Sequence, residues 1–142
     1  MNSIVLAGAA LLLGAPALKD PPAKPPTIVG EWTVEASLLG GKDDGLMTRA
    51  PIDRIIITSE RWIVVRNGQV SAGSEIAVDL KQDPPHLDIG VTEKGPGSKA
   101  VFKLDGDTLT VCYVSGGADR PTKVESPLNS NVRLMTLKRI KK

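Results

Sequence analysis

The sequence predicts an all-β domain, an eight-stranded antiparallel up-and-down barrel that follows a signal peptide and a proline-rich spacer. Apolar and polar residues alternate with a period of two in most segments after residue 28, which is the pattern of strands buried on one face. Turns rich in glycine and proline separate these segments at short intervals, and short connections favour antiparallel neighbours. The last strand is expected to pair with the first, which closes the barrel and removes both sheet edges.

The length and composition fit a single domain. A chain of 142 residues can build one core, and its net charge of +2 is too small to indicate a nucleic acid or a membrane as partner. Cys112 is the only cysteine, so stability must come from packing and strand pairing and not from an intrachain disulfide. The basic residues near the C-terminus are interpreted as a solvated strand edge and tail, with an anionic docking patch as the alternative.

The N-terminus has the pattern of an export signal. Residues 4–13 form an apolar run that is too short to span a bilayer, since a spanning helix needs about 20 residues. Ala15-Pro16-Ala17 supplies a small-x-small cleavage pattern, so we expect a signal peptide at 1–17. This predicts export to the periplasm or the extracellular space, without a stable membrane anchor after cleavage. The alternative is a buried N-terminal strand or helix, because no Lys or Arg precedes the apolar run.

A proline-rich linker is predicted at 18–27, ahead of the barrel domain at 28–142. Its prolines remove backbone donors and favour extended polyproline geometry, so it serves as a spacer. The first strand, 28–38, is expected to place four apolar residues on one face: Trp32, Val34, Ala36 and Leu38. A polar glycine-rich loop follows at 40–45 and continues through residues 46–51. This segment is interpreted as a surface excursion, with a short helix or an irregular lid over the barrel mouth as the alternative.

Two apolar strands, 54–58 and 61–66, are predicted to form the next hairpin. A tight turn between them pairs Ile57 with Trp62. Both faces of this hairpin are apolar, so the pattern does not decide which one is inward. The Trp62 face is favoured, because burial of a large ring gains the most free energy.

Asn67-Gly68 predicts a further hairpin, into a strand at 69–80. A strict two-residue turn pairs Val65 with Val70 and turns Val70 away from the inward face. That conflicts with the apolar alternation further along the strand. A glycine bulge at Gly68 would remove the conflict, and the register stays open at this point.

The remaining strands follow the same pattern. One strand begins at Leu87, and a hairpin spans 99–114 about a type I′ turn at Asp105-Gly106, which is expected to pair Phe102 with Leu109. In the second strand of this hairpin Cys112 faces outward. A short extra strand is predicted at 122–125, before the closing strand at 132–139.

Several ordered stretches resemble known families. Gly30-x-Trp32 on the first strand, together with Arg139 just after the last, resembles the signature of lipocalins and the wider calycin superfamily. The chain more closely resembles a planctomycete family of small exported lipocalin-like domains of unknown function. The matching stretches are Gly30–Val34, Leu87–Ile89, Leu104–Tyr113, Asp119–Thr122 and Leu137–Arg139.

This resemblance implies a lipocalin-like barrel and export, but no established activity. It also implies a structural signature of Gly30, Trp32 and Arg139, in which the arginine lies across the tryptophan at the closed end of the barrel. Such a cation–π contact contributes roughly 0.5–2 kcal/mol.

The sequence offers no catalytic constellation, so we expect no catalytic residue, no cofactor and no enzymatic activity. His86 is the only histidine, whereas a zinc site needs three or four ligands, so no metal is expected. No nucleophile-elbow pattern surrounds a serine. Cys112 is interpreted as a quiet strand residue. The carboxylates near Pro84-Pro85 are interpreted as solvated, with an acid–base pair as the alternative.

Two functions fit such a barrel. An eight-stranded barrel holds one small ligand or fills itself with side chains. In the first case the protein is a binding module for a small apolar ligand, with these candidate lining residues: Val34, Ala36, Ile89, Phe102, Val111 and Tyr113. Arg120 is then an anchor at the barrel mouth, or else a structural residue that pairs with a carboxylate or caps loop carbonyls. In the second case the protein is a structural or interaction domain with an envelope protein as partner.

Overall fold

The computed structural model describes residues 27–141, which form a closed, eight-stranded antiparallel β-barrel. The predicted signal peptide, and the predicted linker except for Thr27, lie outside the described residues. In chain order the elements are β1 Gly30–Leu39, β2 Lys42–Asp43, α1 Leu46–Arg49, β3 Arg54–Ile57, β4 Arg61–Arg66, β5 Gln69–Asp79, β6 His86–Thr92, β7 Gly95–Asp105, β8 Thr108–Ser115 and β9 Arg133–Arg139.

The barrel strands follow an up-and-down order. Consecutive barrel strands pair antiparallel, and β9 pairs with β1 to complete the ring. The two-residue β2 pairs with the end of β1. The predicted barrel and its seam are therefore confirmed. The short extra strand predicted at 122–125 is wrong, because that segment forms no strand pairing.

A bulge in β1 changes which residues face the interior. The register of β9 against β1 shifts by one at Glu35, which is therefore an extra residue on β1. Beyond the bulge the alternation reverses, so Ser37 is buried and Ala36 is exposed. The prediction that Ala36 and Leu38 continue the inward face is wrong, because alternation holds only while the ladder is unbroken.

The β3–β4 hairpin forms as predicted. Ile57 pairs with Trp62 and Ile55 with Val64. Three of these residues, Ile55, Ile57 and Trp62, are buried in the core. The Trp62 face is therefore the inward face.

The β4–β5 hairpin contains a bulge, but not at the predicted position. Arg66 pairs with Gln69, so Asn67-Gly68 is a strict two-residue turn with positive φ at both positions, 52° and 74°. The bulge lies two residues into β5, where Ser71 is the extra residue. The proposed bulge at Gly68 is therefore wrong. Val70 faces outward and is exposed, while the inward alternation of β5 starts after the bulge.

The β7–β8 hairpin turns one residue later than predicted. Its turn residues are Gly106 and Asp107, with φ of 60° at Gly106, instead of Asp105 and Gly106. The pairs shift by two residues, so Phe102 pairs with Val111. A shift of two keeps each side chain on its side of the sheet, and the predicted inward and outward faces of this hairpin are unchanged.

Trp32 and Arg139 close one end of the barrel. Trp32 is fully buried, and its Nε1 donates to the carbonyl of Ile28 at 3.0 Å. The guanidinium carbon of Arg139 lies 4.3 Å from the centre of the Trp32 ring. The same guanidinium donates to the carbonyls of Thr27 and Val29 at 2.8 and 2.9 Å. The predicted cation–π contact is confirmed, and it is combined with two hydrogen bonds.

Gly30 makes room for that contact. Its φ is 150°, and a Cβ at this position would lie 2.7 Å from Nη1 of Arg139. A side chain there would push the guanidinium away from the ring of Trp32. Gly30, Trp32 and Arg139 therefore act as one structural unit.

A long connection, residues 116–132, links β8 to β9 and is called the strap below. Three residues that face away from the barrel interior, Val101, Cys112 and Val114, are nevertheless buried. On the strap, Ser126 Oγ donates to the carbonyl of Val132 at 2.7 Å and accepts the N–H of Gly41 at 2.8 Å. Arg120 of the strap donates to the carbonyls of Leu87 and Ala100, and the charge of Glu125 acts on Cys112. These contacts indicate that the strap covers an outer apolar layer on β7 and β8.

Candidate ligand-binding cavity

A cavity of about 460 Å³ lies at the barrel mouth, at the end opposite the Trp32–Arg139 contact. Its volume falls within the range of small-molecule sites, roughly 300–1,000 Å³. Residues from α1 and from seven of the barrel strands or their flanking turns line it. The mouth half of the barrel is therefore not filled by side chains.

The floor of the cavity is apolar. Ile55, Trp62 and Met135 line it and are almost completely buried. Leu46 of α1 also lines the cavity and packs against the core, which places the helix over the opening. Of the forms considered for residues 46–51, the structure has the short helix.

Below this floor the barrel is packed. Val34, Phe102 and Val111, three of the predicted lining residues, are 8%, 3% and 0% exposed and belong to the hydrophobic core. They do not line the cavity. The closed half of the barrel therefore follows the packed alternative, in which side chains fill the interior.

Two of the predicted lining residues do line the cavity, and one lies elsewhere. Ile89 and Tyr113 face the cavity from β6 and β8. Ala36 lies exposed on the outer face of β1, because the bulge at Glu35 turns it outward.

Arg120 is a structural anchor and does not line this cavity. It forms an ion pair with Asp88 at 2.5 Å, and it donates to the carbonyls of Ala100 and Leu87 at 2.9 and 3.4 Å. These contacts fix the strap to β6 and β7. The geometry therefore agrees with the structural alternative for Arg120, which was a carboxylate partner plus capped carbonyls.

Asp44 organises the polar side of the mouth. Its carboxylate accepts hydrogen bonds from Ser37 Oγ at 2.7 Å and from the backbone N–H of Leu46 at 2.8 Å, and it pairs with Arg133. Burial raises the pKa of Asp44, but these two hydrogen bonds and the charges of Arg133 and Arg49 outweigh burial and lower the pKa below its usual value. Asp44 is thus ionised at neutral pH and holds both Arg133 and the start of α1.

Three arginines line the cavity, and no carboxylate does. Arg133 is committed to Asp44, and Arg49 donates to the backbone carbonyl of Asp44. Arg66 comes from the end of β4, where the alternation through Trp62 directs it inward. The rim of the cavity is therefore electropositive.

Tyr113 brings a hydroxyl group into the cavity. Its oxygen contacts Sδ of Met135 at 4.0 Å, and a thioether is a weak acceptor. Burial raises the pKa of Tyr113; the charge of Arg133 opposes this rise and that of Asp44 adds to it. The phenol therefore stays protonated at neutral pH and can donate a hydrogen bond.

The barrel wall is incomplete beside the cavity. β5 and β6 pair from Ile76 to Asp79, whereas the earlier part of β5 has β4 as its neighbour. Ala72 and Ser74, which line the cavity, lie in this earlier part. Gly90, with φ of 74°, marks the point at which β6 leaves β5. The strand ladder between β5 and β6 is therefore shorter than either strand.

Some of these site residues were within reach of sequence reasoning. Trp62 and Arg66 are four positions apart on one strand, so an inward Trp62 implies an inward Arg66. In the same way, an inward Met135 implies that Arg133, two positions earlier, also faces inward. Ser37 and Asp44 gave no such signal, because a bulge reverses the face of Ser37 and Asp44 lies in a loop.

Within residues 27–141 no group of His, Cys, Asp and Glu side chains could hold a metal ion. In the same residues no helix is long and apolar enough to cross a membrane. Comparison with known proteins gave no match to a family model, to a curated protein or to a solved structure.

Proposed function

We propose that this barrel is an exported, non-enzymatic binding module that holds one small apolar ligand with a polar end. The cavity at the mouth carries the proposal, because it combines about 460 Å³ of space with an apolar floor and a polar rim. The apolar part of the ligand would lie on Ile55, Trp62 and Met135, and its polar end would stay at the rim.

The distribution of packing favours binding over a purely structural role. A scaffold with a packed interior would need filled layers along the whole barrel, but only the closed half has them. The cavity is lined by apolar, hydroxyl and guanidinium groups, without a carboxylate or an imidazole among the described residues. This composition supports binding and not acid–base catalysis.

A neutral fluorescent probe tests this function. N-phenyl-1-naphthylamine emits strongly in apolar sites, and we expect it to bind the purified protein saturably, with one molecule per chain. Binding should also quench tryptophan emission by energy transfer, because Trp62 lies on the cavity floor. Absence of saturable binding would contradict the proposal.

A matched pair of variants on β5 locates the probe. Ser74→Phe places a ring in the cavity and should weaken binding about tenfold. Ala77→Phe places the same ring on the exposed outer face and should leave binding unchanged. Equal effects of the two variants would show that the probe binds outside the cavity.

A further inference from the structure

Resting on this binding function, we propose that the ligand is a small amphipathic acid and that Arg66 receives its anionic group at the cavity rim. The Tyr113 hydroxyl is a further donor that lines the same cavity. The excess of positive charge at the rim points to this class of ligand.

The charges at the mouth do not balance. Arg49, Arg66 and Arg133 line the cavity, and Asp44 is the carboxylate that contacts this group of arginines. Three guanidinium groups against one carboxylate leave two positive charges in excess. Arg66 and Arg133 are half-buried, whereas Arg49 is exposed. A half-buried cation is stabilised by a counter-charge, and for Arg66 the ligand can supply it.

Arg66 is the arginine that is free to accept an anion. Its two hydrogen bonds are long, 3.3 Å to the carbonyl of Ala50 and 3.4 Å to Ser71 Oγ. Among the described residues no carboxylate lies within ion-pair distance of Arg66. Its fork of N–H donors matches a carboxylate or a sulfonate, which it can bind through two parallel hydrogen bonds.

The neighbouring groups fit an anion and disfavour a cation. Tyr113, Ser74, Ser98 and Ser115 line the same cavity and offer hydroxyl donors. The Asp44 carboxylate is already occupied by Ser37 Oγ, a backbone N–H and a guanidinium. A cationic ligand would therefore meet repulsion from the arginines without finding an available carboxylate in the cavity.

Two probes with the same aromatic body test the inference. 1-Anilinonaphthalene-8-sulfonate carries an anionic group that N-phenyl-1-naphthylamine lacks. We expect Arg66→Gln to weaken binding of the sulfonate about tenfold, since a hydrogen bond to a charged group is lost, and to leave binding of the neutral probe within about twofold. Added salt should weaken binding of the sulfonate to the unmodified protein more than binding of the neutral probe.

Arg61→Gln is the matched control, because Arg61 is an exposed arginine on the same strand that does not line the cavity. It should change neither affinity, while Arg66→Lys should restore part of the sulfonate affinity. If Arg66→Gln leaves sulfonate binding unchanged, or weakens both probes equally, the inference is overturned and the binding function stands. If neither probe binds the unmodified protein, the binding function itself fails.

Discussion

At the scale of single residues, Arg139 joins two parts of the chain that are far apart in sequence. Its guanidinium stacks on Trp32, donates to two carbonyls of the segment before β1, and lies 3.4 Å from Asp107 in the β7–β8 turn. The planar guanidinium can stack and donate in its own plane at the same time, which a lysine ammonium cannot do. The closed end of the barrel thus depends on one side chain.

Replacement of this residue gives the first stability prediction. Arg139→Ala should lower the free energy of unfolding by about 1–2 kcal/mol, through loss of the cation–π contact and of partly exposed hydrogen bonds. Urea denaturation of this variant, with the exposed neighbour Lys138→Ala as control, measures the difference. Binding at the opposite end should not change. An unaltered unfolding midpoint would refute the structural role of Arg139.

At the scale of elements, two bulges decide which side chains of β1 and β5 face the barrel interior near the mouth. The extra residue Glu35 turns Ser37 inward, where it meets Asp44 and helps to fix the loop before α1. The extra residue Ser71 restores the inward alternation of β5, so that Ala72 and Ser74 line the cavity. Bulges of this kind re-aim side chains at the rims of barrels.

The Asp44 cluster predicts how the stability of the mouth depends on pH. The pKa of Asp44 is lowered in the folded protein, so its contribution is fully present above the unfolded pKa, about 4, and is lost as pH falls through the lower folded value. Asp44→Asn should therefore cost about 1–3 kcal/mol at pH 7 and much less near pH 3. Urea unfolding at the two pH values tests this.

An exposed carboxylate supplies the control for that measurement. Glu35→Gln lies on the outer face of β1 and should change stability little at either pH. The same cost of Asp44→Asn at pH 7 and pH 3 would show that the ionised carboxylate does not stabilise the mouth.

At the scale of the whole molecule, the barrel has two apolar layers with different covers. The interior layer is enclosed by the ring of paired strands, in which the β5–β6 ladder is limited to Ile76–Asp79 of β5. The outer layer on β7 and β8 is covered by the strap, which is held by side-chain contacts such as the Arg120–Asp88 ion pair. Because the strap is not held by backbone pairing with a strand, we expect it to open locally more easily than the barrel unfolds.

The buried thiol of Cys112 reports on that opening. Burial, and to a smaller extent the charge of Glu125 on the strap, raises the pKa of Cys112 to about 12. We expect the native thiol to react with a disulfide reagent at pH 8 at least about 100-fold more slowly than the thiol of the denatured chain. Reaction at the denatured rate would contradict the covered position.

A strap variant separates local opening from global unfolding. Arg120→Ala should increase the labelling rate of Cys112, because it removes the contacts that fix the strap to β6 and β7. Lys123→Ala, an exposed strap residue, should not. Equal rates for the unmodified protein and Arg120→Ala, both as slow as unfolding, would mean that the strap opens only with the barrel.

The class of fold, the order of the strands and the pairing of the first strand with the last were all predictable from the amino-acid pattern. The predicted Trp32–Arg139 contact is present, whereas the alternation left the inward face of the β3–β4 hairpin open and only the size of the Trp62 ring favoured one face. The strands and their order follow from local properties, because the period of two and the turn residues act within a few positions, whereas the seam and the Trp32–Arg139 contact join the two ends of the domain. The β7–β8 turn was predicted one residue too early, which shifted the cross-strand pairs by two residues. A shift of two leaves each side chain on the same face of the sheet, so the predicted inward and outward residues were still correct.

The division of the interior into a packed half and a cavity became visible only in the folded barrel. The bulges at Glu35 and Ser71 follow from the fit of each strand to its neighbour, which no local pattern records. The pairing of Asp44 with Arg133 joins residues 89 positions apart. Cavities and charge clusters of this kind arise from contacts between distant segments, so they exist only after the barrel has closed.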